Sequence, residues 1–245
     1  YKHLIEAEKI LDPKKEFVEG KLYDINMDGA EEAILSNSLM KAYFMLNEGG
    51  VLYELDYKPS STNIMATLRR RYEGYHDKIK MASSVEQADG TKTIHDMVTA
   101  KEEGLERYLH YDWHRRASLI DHIMNDDATF DSVYMSAYHE PADFVREPYE
   151  ATIQKGKDNV TLSLTRHGHF WSGDNVLPLM IKKDIFLGKS SDALIVDYSI
   201  EGNVREPFLL GVEFNFSFLG SGGDRYMETM HGRLPLSVAG IIDAS

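Results

Sequence analysis

Residues 160–201 read VTLSLTRHGHFWSGDNVLPLMIKKDIFLGKSSDALIVDYSIE, and this stretch decides the fold class. Three long segments, 160–166, 177–187 and 193–201, are rich in β-branched and aromatic residues and are separated by turn residues. No helical pattern lies between them. Because parallel strands need crossover helices, this spacing favours an antiparallel arrangement. We therefore predict a mainly β protein built as a large antiparallel β-sandwich.

The same strand pattern recurs on both sides of this stretch. Further strands are predicted at residues 16–23, 33–36, 41–46, 51–57, 133–138, 149–155 and 208–219. Residues 63–81 are predicted as a short helix plus loop, since Leu68, Tyr72 and Tyr75 share one possible helical face. The charged segment 83–104 contains few large apolar residues, which is typical of a solvated insertion.

The first eleven residues favour a short helix. Leu4, Ile5, Glu8 and Leu11 lie near helical spacing, and the helix should end at Asp12 because a proline follows it. A helix this short is marginal alone, so residues 1–12 are interpreted as the tail of a preceding helical region. Residues 13–245 are then the sandwich domain.

Composition limits the partners. The chain has 245 residues, a net charge of −13 and 42% hydrophobic residues, which is enough for a substantial core. The negative charge disfavours nucleic acid and anionic membranes, and no apolar run approaches the roughly 20 residues of a membrane span. The chain has no cysteine, which excludes disulfides and thiolate metal sites and favours the cytoplasm.

One loop has the spacing of a cation site. Asp24, Asn26 and Asp28 alternate, a glycine follows, and Glu32 stands at the ninth position. Oxygen ligands at these positions, with the carbonyl of Ala30, can surround calcium. An EF-hand would need a glutamate at position 12, where this chain has leucine, so we predict a structural calcium loop between strands. An ordinary turn of Asn, Asp and Gly residues explains the same sequence without a cation.

Five phrases in order carry a resemblance to a known family: residues 24–32, 49–56, 63–76, 112–122 and 211–215. The chain resembles the C-terminal β-sandwich region of glycoside hydrolase family 57 α-amylases and 4-α-glucanotransferases. The resemblance implies a galactose mutarotase-like sandwich that follows a catalytic barrel and a helical segment. It also implies that the Glu nucleophile and the Asp acid/base belong to that barrel, so this chain carries no catalytic residue. Family members continue beyond the region that matches residues 232–245, which implies a sandwich truncated at its C-terminal end.

Aromatic, imidazole and charged side chains cluster in residues 112–122. An accessory domain must contact its enzyme, and Trp and Arg commonly anchor such interfaces, so we predict a barrel interface here, with contact to a glucan as the alternative. Glu73 and its neighbours fall under the same argument. The predicted contact residues are Tyr72, His76, Trp113, His114, Arg115, Asp121 and His122.

Two histidine patterns suggest other chemistry. His110 and His114 have the spacing of zinc ligands on a helix, although the neighbouring aromatic residues favour packing. His167 and His169 flank a glycine, and either could act with Glu213 as an acid/base pair that opens a sugar hemiacetal.

The sequence therefore predicts a noncatalytic C-terminal β-sandwich domain of an α-1,4-glucan-processing enzyme. Its partners would be the catalytic barrel and an α-glucan oligosaccharide. Two alternatives stay open: a stand-alone sugar mutarotase of the aldose 1-epimerase type, and a calcium-stabilised carbohydrate-binding module.

Overall fold

A computed structural model describes residues 1–85, 104–218, 225–229 and 232–236 of the chain, and antiparallel strands are the main secondary structure of these residues. The predicted fold class is confirmed. In chain order, the elements are α1 (Lys2–Leu11), β1 (Val18–Tyr23), β2 (Glu32–Asn37), β3 (Met40–Met45), β4 (Val51–Tyr57), β5 (Thr62–Asn63), α2 (His76–Val85), a 3₁₀ turn (Leu105–Tyr108), β6 (Ile120–Asn125), α3 (Phe130–Tyr134), β7 (Glu150–Lys155), β8 (Asn159–Ser172), β9 (Asn175–Gly188), β10 (Leu194–Gly202), β11 (Phe208–Glu213), β12 (Tyr226–Thr229) and β13 (Gly232–Pro235).

The first sheet follows the chain order β1-β2-β3-β4-β5, and all its neighbours are antiparallel. The second sheet has the order β10-β9-β8-β7. Its centre is the long hairpin of β8 and β9, which pair continuously from Asn159 opposite Gly188 to Ser172 opposite Asn175. Residues of β9 alternate between buried and partly exposed from Leu179 to Gly188, as expected for a strand with one face on the core.

The two sheets share one core. Leu35 and Phe44 of the first sheet lie in the same buried cluster as Leu162, Leu164 and Ile181 of the second. Complete burial of an aliphatic or aromatic side chain of this size contributes about 1.5–3 kcal/mol, so these contacts stabilise the sandwich. The sheets pack closely at Gly20 of β1, where a Cβ atom would lie 2.8 Å from Val160 and 2.9 Å from Ile153.

Helix α1 ends at Leu11 with Asp12 as its C-terminal cap, as the sequence predicts, and it lies against the first sheet. Ile5 is its buried residue. Two ion pairs attach the helix to the sheet: Glu8 contacts Lys41 at 2.6 Å, and Asp12 contacts Lys58 at 2.6 Å.

A third, two-stranded sheet pairs β6 with β11 and positions the candidate site. Strand β6 was not expected from the sequence. Its first four residues are all buried, so it lacks the alternation that identifies a half-buried strand. A backbone bridge between Leu52 and Ser118 connects this sheet to the end of the first one.

Strand β8 is longer than the predicted 160–166, and three further predictions need correction. No strand forms at residues 133–138: residues 133–134 end α3, which begins after a capping box formed by Thr129 and Ser132, and residues 135–138 are a turn and an irregular segment. The expected strand at 208–219 ends at Glu213. Residues 63–81 contain the end of β5, an irregular segment and then α2. The predicted insertion at 83–104 lies almost wholly outside the described residues.

Candidate functional site

The candidate site is a cluster of buried charged side chains beside the β6–β11 sheet. His122 belongs to β6, where it pairs with Gly211, and Glu213 is the last residue of β11, where it pairs with Ile120. His114 belongs to the irregular segment before β6. The antiparallel pairing therefore brings together residues that lie far apart in the sequence.

Glu213 holds the centre of the cluster. Its Oε2 atom lies 2.9 Å from Nε2 of His114 and 2.9 Å from Nε2 of His122. The side chains of His114 and His122 are 3% and 5% exposed, whereas that of Glu213 is 17% exposed. The two imidazole rings meet edge to face with centroids 5.2 Å apart. One carboxylate oxygen therefore accepts hydrogen bonds from two buried imidazoles.

A second carboxylate fixes the far side of His122. Oε2 of Glu140 lies 3.0 Å from Nδ1 of His122, and Oε1 accepts a hydrogen bond from the backbone N–H of Ile123 at 2.6 Å. The hydroxyl of Tyr138 lies 3.2 Å from the same Nδ1 atom. Both ring nitrogens of His122 thus face carboxylates.

Arginine side chains close the other end of the cluster. Arg116 donates to Oε1 of Glu213 at 3.0 Å and to Oδ1 of Asp112 at 2.7 Å. Arg70 donates twice to the same Asp112 oxygen, at 2.6 and 2.9 Å. Asn215 completes the shell of Glu213 with a hydrogen bond of 2.6 Å.

These contacts change the acid–base properties of the site. Burial alone would raise the pKa of Glu213, but hydrogen bonds from His114, His122 and Asn215 outweigh it and hold the pKa well below its usual range. Burial alone would lower the pKa of His122, but hydrogen bonds to Glu140 and Glu213 raise it to about 9. The pKa of Asp112 is lowered because hydrogen bonds from Arg116 and Arg70 outweigh its burial. Glu213 is consequently a weak base.

The exposed side of Glu213 lines an open cavity of about 710 Å³. Arg70, Arg116 and Asn215 supply polar groups to its wall, and Phe214 and Phe216 supply apolar ones. The rings of Phe214 and Phe216 stack with centroids 6.1 Å apart and an interplanar angle of 12°. The cavity can therefore accept a small polar molecule that presents one apolar face.

Similarity to known proteins identifies the chain. The family model described as "Alpha-amylase/4-alpha-glucanotransferase, C-terminal" matches residues 24–239. The chain belongs to this family. The predicted resemblance is thereby confirmed.

Longer relatives of this alpha-amylase/4-alpha-glucanotransferase C-terminal family contain a region like this chain. Alpha-amylase 1 of Dictyoglomus thermophilum is 31% identical over 244 residues, which are 98% of this chain and 34% of that protein. The 4-alpha-glucanotransferase of Thermococcus litoralis is 31% identical over 219 residues, which are 89% of this chain and 31% of that protein. The chain thus spans about a third of the length of these relatives.

A solved structure agrees with the fold. The crystal structure of 4-alpha-glucanotransferase from Thermococcus litoralis superimposes with a TM-score of 0.71 and 28% sequence identity. The superposition covers 92% of this chain and 32% of that one. None of the helices in the described part of the chain has the length and apolar content to span a bilayer.

The predicted contact residues of this family member divide into exposed and buried ones. Tyr72 is 52% exposed, Arg115 is exposed and Trp113 is partly buried, so these three have surface available to a partner. The other four, His76, His114, Asp121 and His122, are each at most 8% exposed. Asp121 is completely buried and bonded to Lys183, so its predicted role in direct contact with a barrel or glucan is wrong.

Both histidine predictions need correction. His110 and His114 do not lie on a helix, because residues 109–114 are irregular, and His110 instead packs against Tyr134 with ring centroids 5.8 Å apart. In the part of the chain that the structure describes, the acid/base pair predicted between Glu213 and either His167 or His169 does not form, and His169 instead contacts Asp143 at 3.4 Å. Within the described residues, the imidazoles bonded to Glu213 are those of His114 and His122 and not those of His167 or His169.

The predicted calcium loop is a turn that bonds to itself, with an exposed tip at residues 25–29 and a buried Glu32. Asp24 accepts hydrogen bonds from the backbone N–H groups of Asp28 and Gly29 at 3.1 and 3.0 Å. Asn26 donates to Asp28 at 2.9 Å and to Glu32 at 3.2 Å. Since that amide nitrogen faces two carboxylates, a cation would have to turn the amide so that its oxygen points inward. The loop supplies the oxygen ligands that calcium prefers once this rotation occurs.

Sequence reasoning missed Glu140, Arg116 and the pairing of Glu213 with His114. Glu140 lies in an irregular segment, and Glu213 is 99 residues from His114. The one available signal was the density of charged and aromatic residues in 112–122, which led to the prediction of two members of the cluster, His114 and His122, but not of Asp112 or Arg116 in the same range.

Proposed function

We propose that this chain is the noncatalytic β-sandwich domain of an α-1,4-glucan-processing enzyme, where it supports the catalytic barrel and contributes a wall to the glucan site. The observation that carries the proposal is the match of residues 24–239 to a C-terminal family region, in a chain that spans about a third of its relatives. The names of those relatives, alpha-amylase and 4-alpha-glucanotransferase, describe enzymes that act on α-glucans.

The state of Glu213 supports a noncatalytic role. Retaining cleavage of a glycosidic bond needs one free carboxylate as nucleophile and a second as proton donor, about 5 Å apart. Glu213 is held by two imidazoles, an arginine and an amide, so its lone pairs are already occupied. Such a carboxylate is suited to holding a structure rather than to attacking a sugar.

The surface beside the cavity supports a docking role. Phe214, Phe216 and Phe218 form a stacked row of rings and are each between 46% and 51% exposed. Aromatic faces of this kind are common at protein interfaces and can stack on sugar rings. We assign this row, with Trp113 and Arg115, to the contact with the catalytic barrel.

Two further features belong to the same proposal. We propose that the loop from Asp24 to Glu32 holds a structural calcium ion, with ligands Asp24, Asn26, Asp28, Glu32 and the carbonyl of Ala30. We also propose a galactose mutarotase-like topology and a cytoplasmic location, the latter because 245 residues without cysteine suit a reducing compartment.

Incubation with maltoheptaose tests the proposal. The purified chain, checked for cooperative unfolding, is incubated with the oligosaccharide, and shorter and longer products are followed by chromatography. We expect the oligosaccharide to stay unchanged. Hydrolysis or redistribution of chain length would place catalytic residues inside this chain and would overturn the assignment. The upstream coding sequence provides a second check, since it should encode a barrel with two catalytic carboxylates.

A further inference from the structure

The cluster around Glu213 offers the ligand types of a transition-metal site. One donor atom each from His114, His122 and Glu213 lie within 4.8 Å of one another. Two imidazole nitrogens and one carboxylate oxygen form a set that zinc accepts, at bond lengths of about 2.0–2.2 Å. In tetrahedral geometry such ligand atoms stand roughly 3.3 Å apart. The observed 2.9 Å from Glu213 Oε2 to each Nε2 atom therefore needs to widen by only a few tenths of an ångström.

The surroundings of His122 match those of a metal ligand. Metal-binding histidines usually donate their other ring N–H to a carboxylate or carbonyl, which fixes the ring and its tautomer. Here Glu140 occupies that position at 3.0 Å from Nδ1, and Glu140 is itself held by the backbone N–H of Ile123. Nε2 of His122 consequently points towards Glu213 in a fixed direction.

The side chain of His114 also makes its hydrogen bond to Glu213. Its Nδ1 atom is buried and has no hydrogen-bond partner among the described residues. The ring instead packs edge to face with that of Trp113, with centroids 4.9 Å apart. The polar bond of this 3% exposed side chain is therefore made by Nε2 to Glu213. A metal ion would take the place of the proton on that atom, because metal ligands must be deprotonated.

Charge and access also suit a divalent ion. The cluster holds three carboxylates, Glu213, Glu140 and Asp112, against two guanidinium groups, Arg116 and Arg70. With neutral imidazoles this leaves one net negative charge. Arg116 and Asn215 bond to Oε1 of Glu213, whereas the partners of Oε2 are the two imidazoles that would themselves bind the ion, so Oε2 is the oxygen that would serve as ligand. Glu213 also lines the open cavity, through which water and a metal ion can reach the cluster.

We propose that His114, His122 and Glu213 form a binding site for a zinc-class divalent metal ion, with Glu140 positioning His122. The site differs from the Asp24–Glu32 loop, which offers oxygen ligands alone and suits a hard cation. It does not depend on the proposed glucan-related function.

Cobalt titration tests the site. The 245-residue chain is treated with a chelator, dialysed and titrated with Co²⁺, whose visible absorption is strong in four- or five-coordinate sites and weak for the hydrated ion. We expect saturation at one equivalent and displacement by Zn²⁺. We expect Glu213→Gln to weaken binding by more than about 100-fold and Glu140→Gln by about 10- to 100-fold.

Two controls separate this site from others. His169→Ala removes an exposed histidine that also contacts a carboxylate, and Asp28→Asn alters the predicted calcium loop. Both variants should bind Co²⁺ as tightly as the unmodified chain. Equal binding by Glu213→Gln, or loss of binding in His169→Ala, would overturn the proposal.

A measurement on the unmodified chain covers the case in which the variants fail to fold. X-ray absorption of the chain loaded with one equivalent of Zn²⁺ should show scattering from two imidazoles and from oxygen ligands. A spectrum with oxygen ligands alone, or no retention of Zn²⁺ after dialysis, would leave the cluster as a hydrogen-bonded structural element and refute the metal site.

Discussion

The ammonium nitrogen of Lys183 lies 2.9 Å from Oδ2 of Asp121, and both side chains are completely buried. Lys183 also donates to the backbone carbonyls of Gly49, Gly50 and Leu119, at 3.0 to 3.2 Å. Asp121 accepts from the hydroxyls of two tyrosines, at 2.6 and 2.8 Å. The ion pair therefore joins β9 of the second sheet to β6 with its hydrogen-bonding groups satisfied, which is the condition under which a buried charge is tolerated.

Loss of one partner of this ion pair should destabilise the protein strongly. Lys183→Met leaves the Asp121 carboxylate buried without its counter-ion, and we expect a loss of about 3–5 kcal/mol in the free energy of unfolding. The double variant Lys183→Met with Asp121→Leu should lower the free energy of unfolding by less than Lys183→Met alone. Urea denaturation measures both. Lys182→Met is the control, because Lys182 is 39% exposed and its ion pair should contribute less than about 1 kcal/mol. Equal losses for the two lysines would contradict the prediction.

The acidic groups beneath α1 should make stability depend on pH. Burial raises the pKa of Glu54 from 4.5 to about 7, and the charges of Asp56 and Glu8 act in the same direction. Because the folded state holds this proton more tightly than the unfolded chain, its contribution to stability is complete below pH 4.5. That contribution is lost as the pH rises through about 7.

Glu54→Gln isolates this effect. We expect the difference in unfolding free energy between pH 5 and pH 8 to shrink by about 1–2 kcal/mol, a value discounted for solvent screening at this partly buried position. Urea denaturation at both pH values provides the measurement. Glu150→Gln changes an exposed carboxyl on β7 and should leave the difference unaltered. An unchanged pH difference in Glu54→Gln would refute the assigned pKa.

Gly20 should not tolerate a side chain. A Cβ atom there would lie 2.8 Å from Val160 and 2.9 Å from Ile153, so Gly20→Ala must displace these side chains of the facing sheet. Overpacking of this kind costs about 1–3 kcal/mol. Gly74→Ala is the matched control, because a Cβ atom at that position meets nothing within 4 Å. Thermal unfolding should show a lower Tm for the first variant and an equal or slightly higher one for the second.

Calcium should raise the melting temperature if the Asp24–Glu32 loop binds it. A ligand that binds only the folded state stabilises it by about 2.7 kcal/mol at 100 times its Kd. We therefore expect a higher Tm in calcium than in a chelator, and a much smaller difference in Asp28→Asn. The test uses scanning calorimetry with magnesium as a parallel addition. Identical melting curves in calcium and chelator would remove the proposed ion.

The chain should not accelerate the interconversion of sugar anomers. The pKa of Glu213 is depressed because its hydrogen bonds outweigh its burial, so this carboxylate is a poor proton acceptor. Polarimetry of freshly dissolved α-D-glucose, with and without the chain, measures the rate. A faster rate that Glu213→Gln abolishes would instead establish mutarotase activity.

Local patterns predicted the sandwich strands well. Strand β4 has the predicted bounds, and the predicted β10 differs from the observed one by a single residue at each end. These strands have β-branched and aromatic residues between clear turn signals, so the local preference and the tertiary environment agree.

Strand β6 shows why the rest could not be predicted. Its residues Asp121 and His122 are polar and yet buried, since Lys183 and Glu213 supply their partners from other strands. No pattern of hydrophobic residues within β6 reveals such partners. The prediction of a strand at residues 133–138 is wrong for a different reason. A capping box between Thr129 and Ser132 starts α3 and outweighs the strand preference of its aromatic and β-branched residues.

The separation of His114 from Glu213 has a consequence for the order of folding. Their hydrogen bond closes a loop of 99 residues, and the β6–β11 ladder likewise joins chain segments that lie far apart. Contacts of such long range form only after the entropy of loop closure has been overcome, so they slow folding. The hairpin of β8 and β9, whose strands are adjacent in the chain, can form earlier. A nascent chain would therefore complete its imidazole–carboxylate cluster only after the sandwich hairpins had formed, and the His114–Glu213 hydrogen bond can serve as a reporter of that late step.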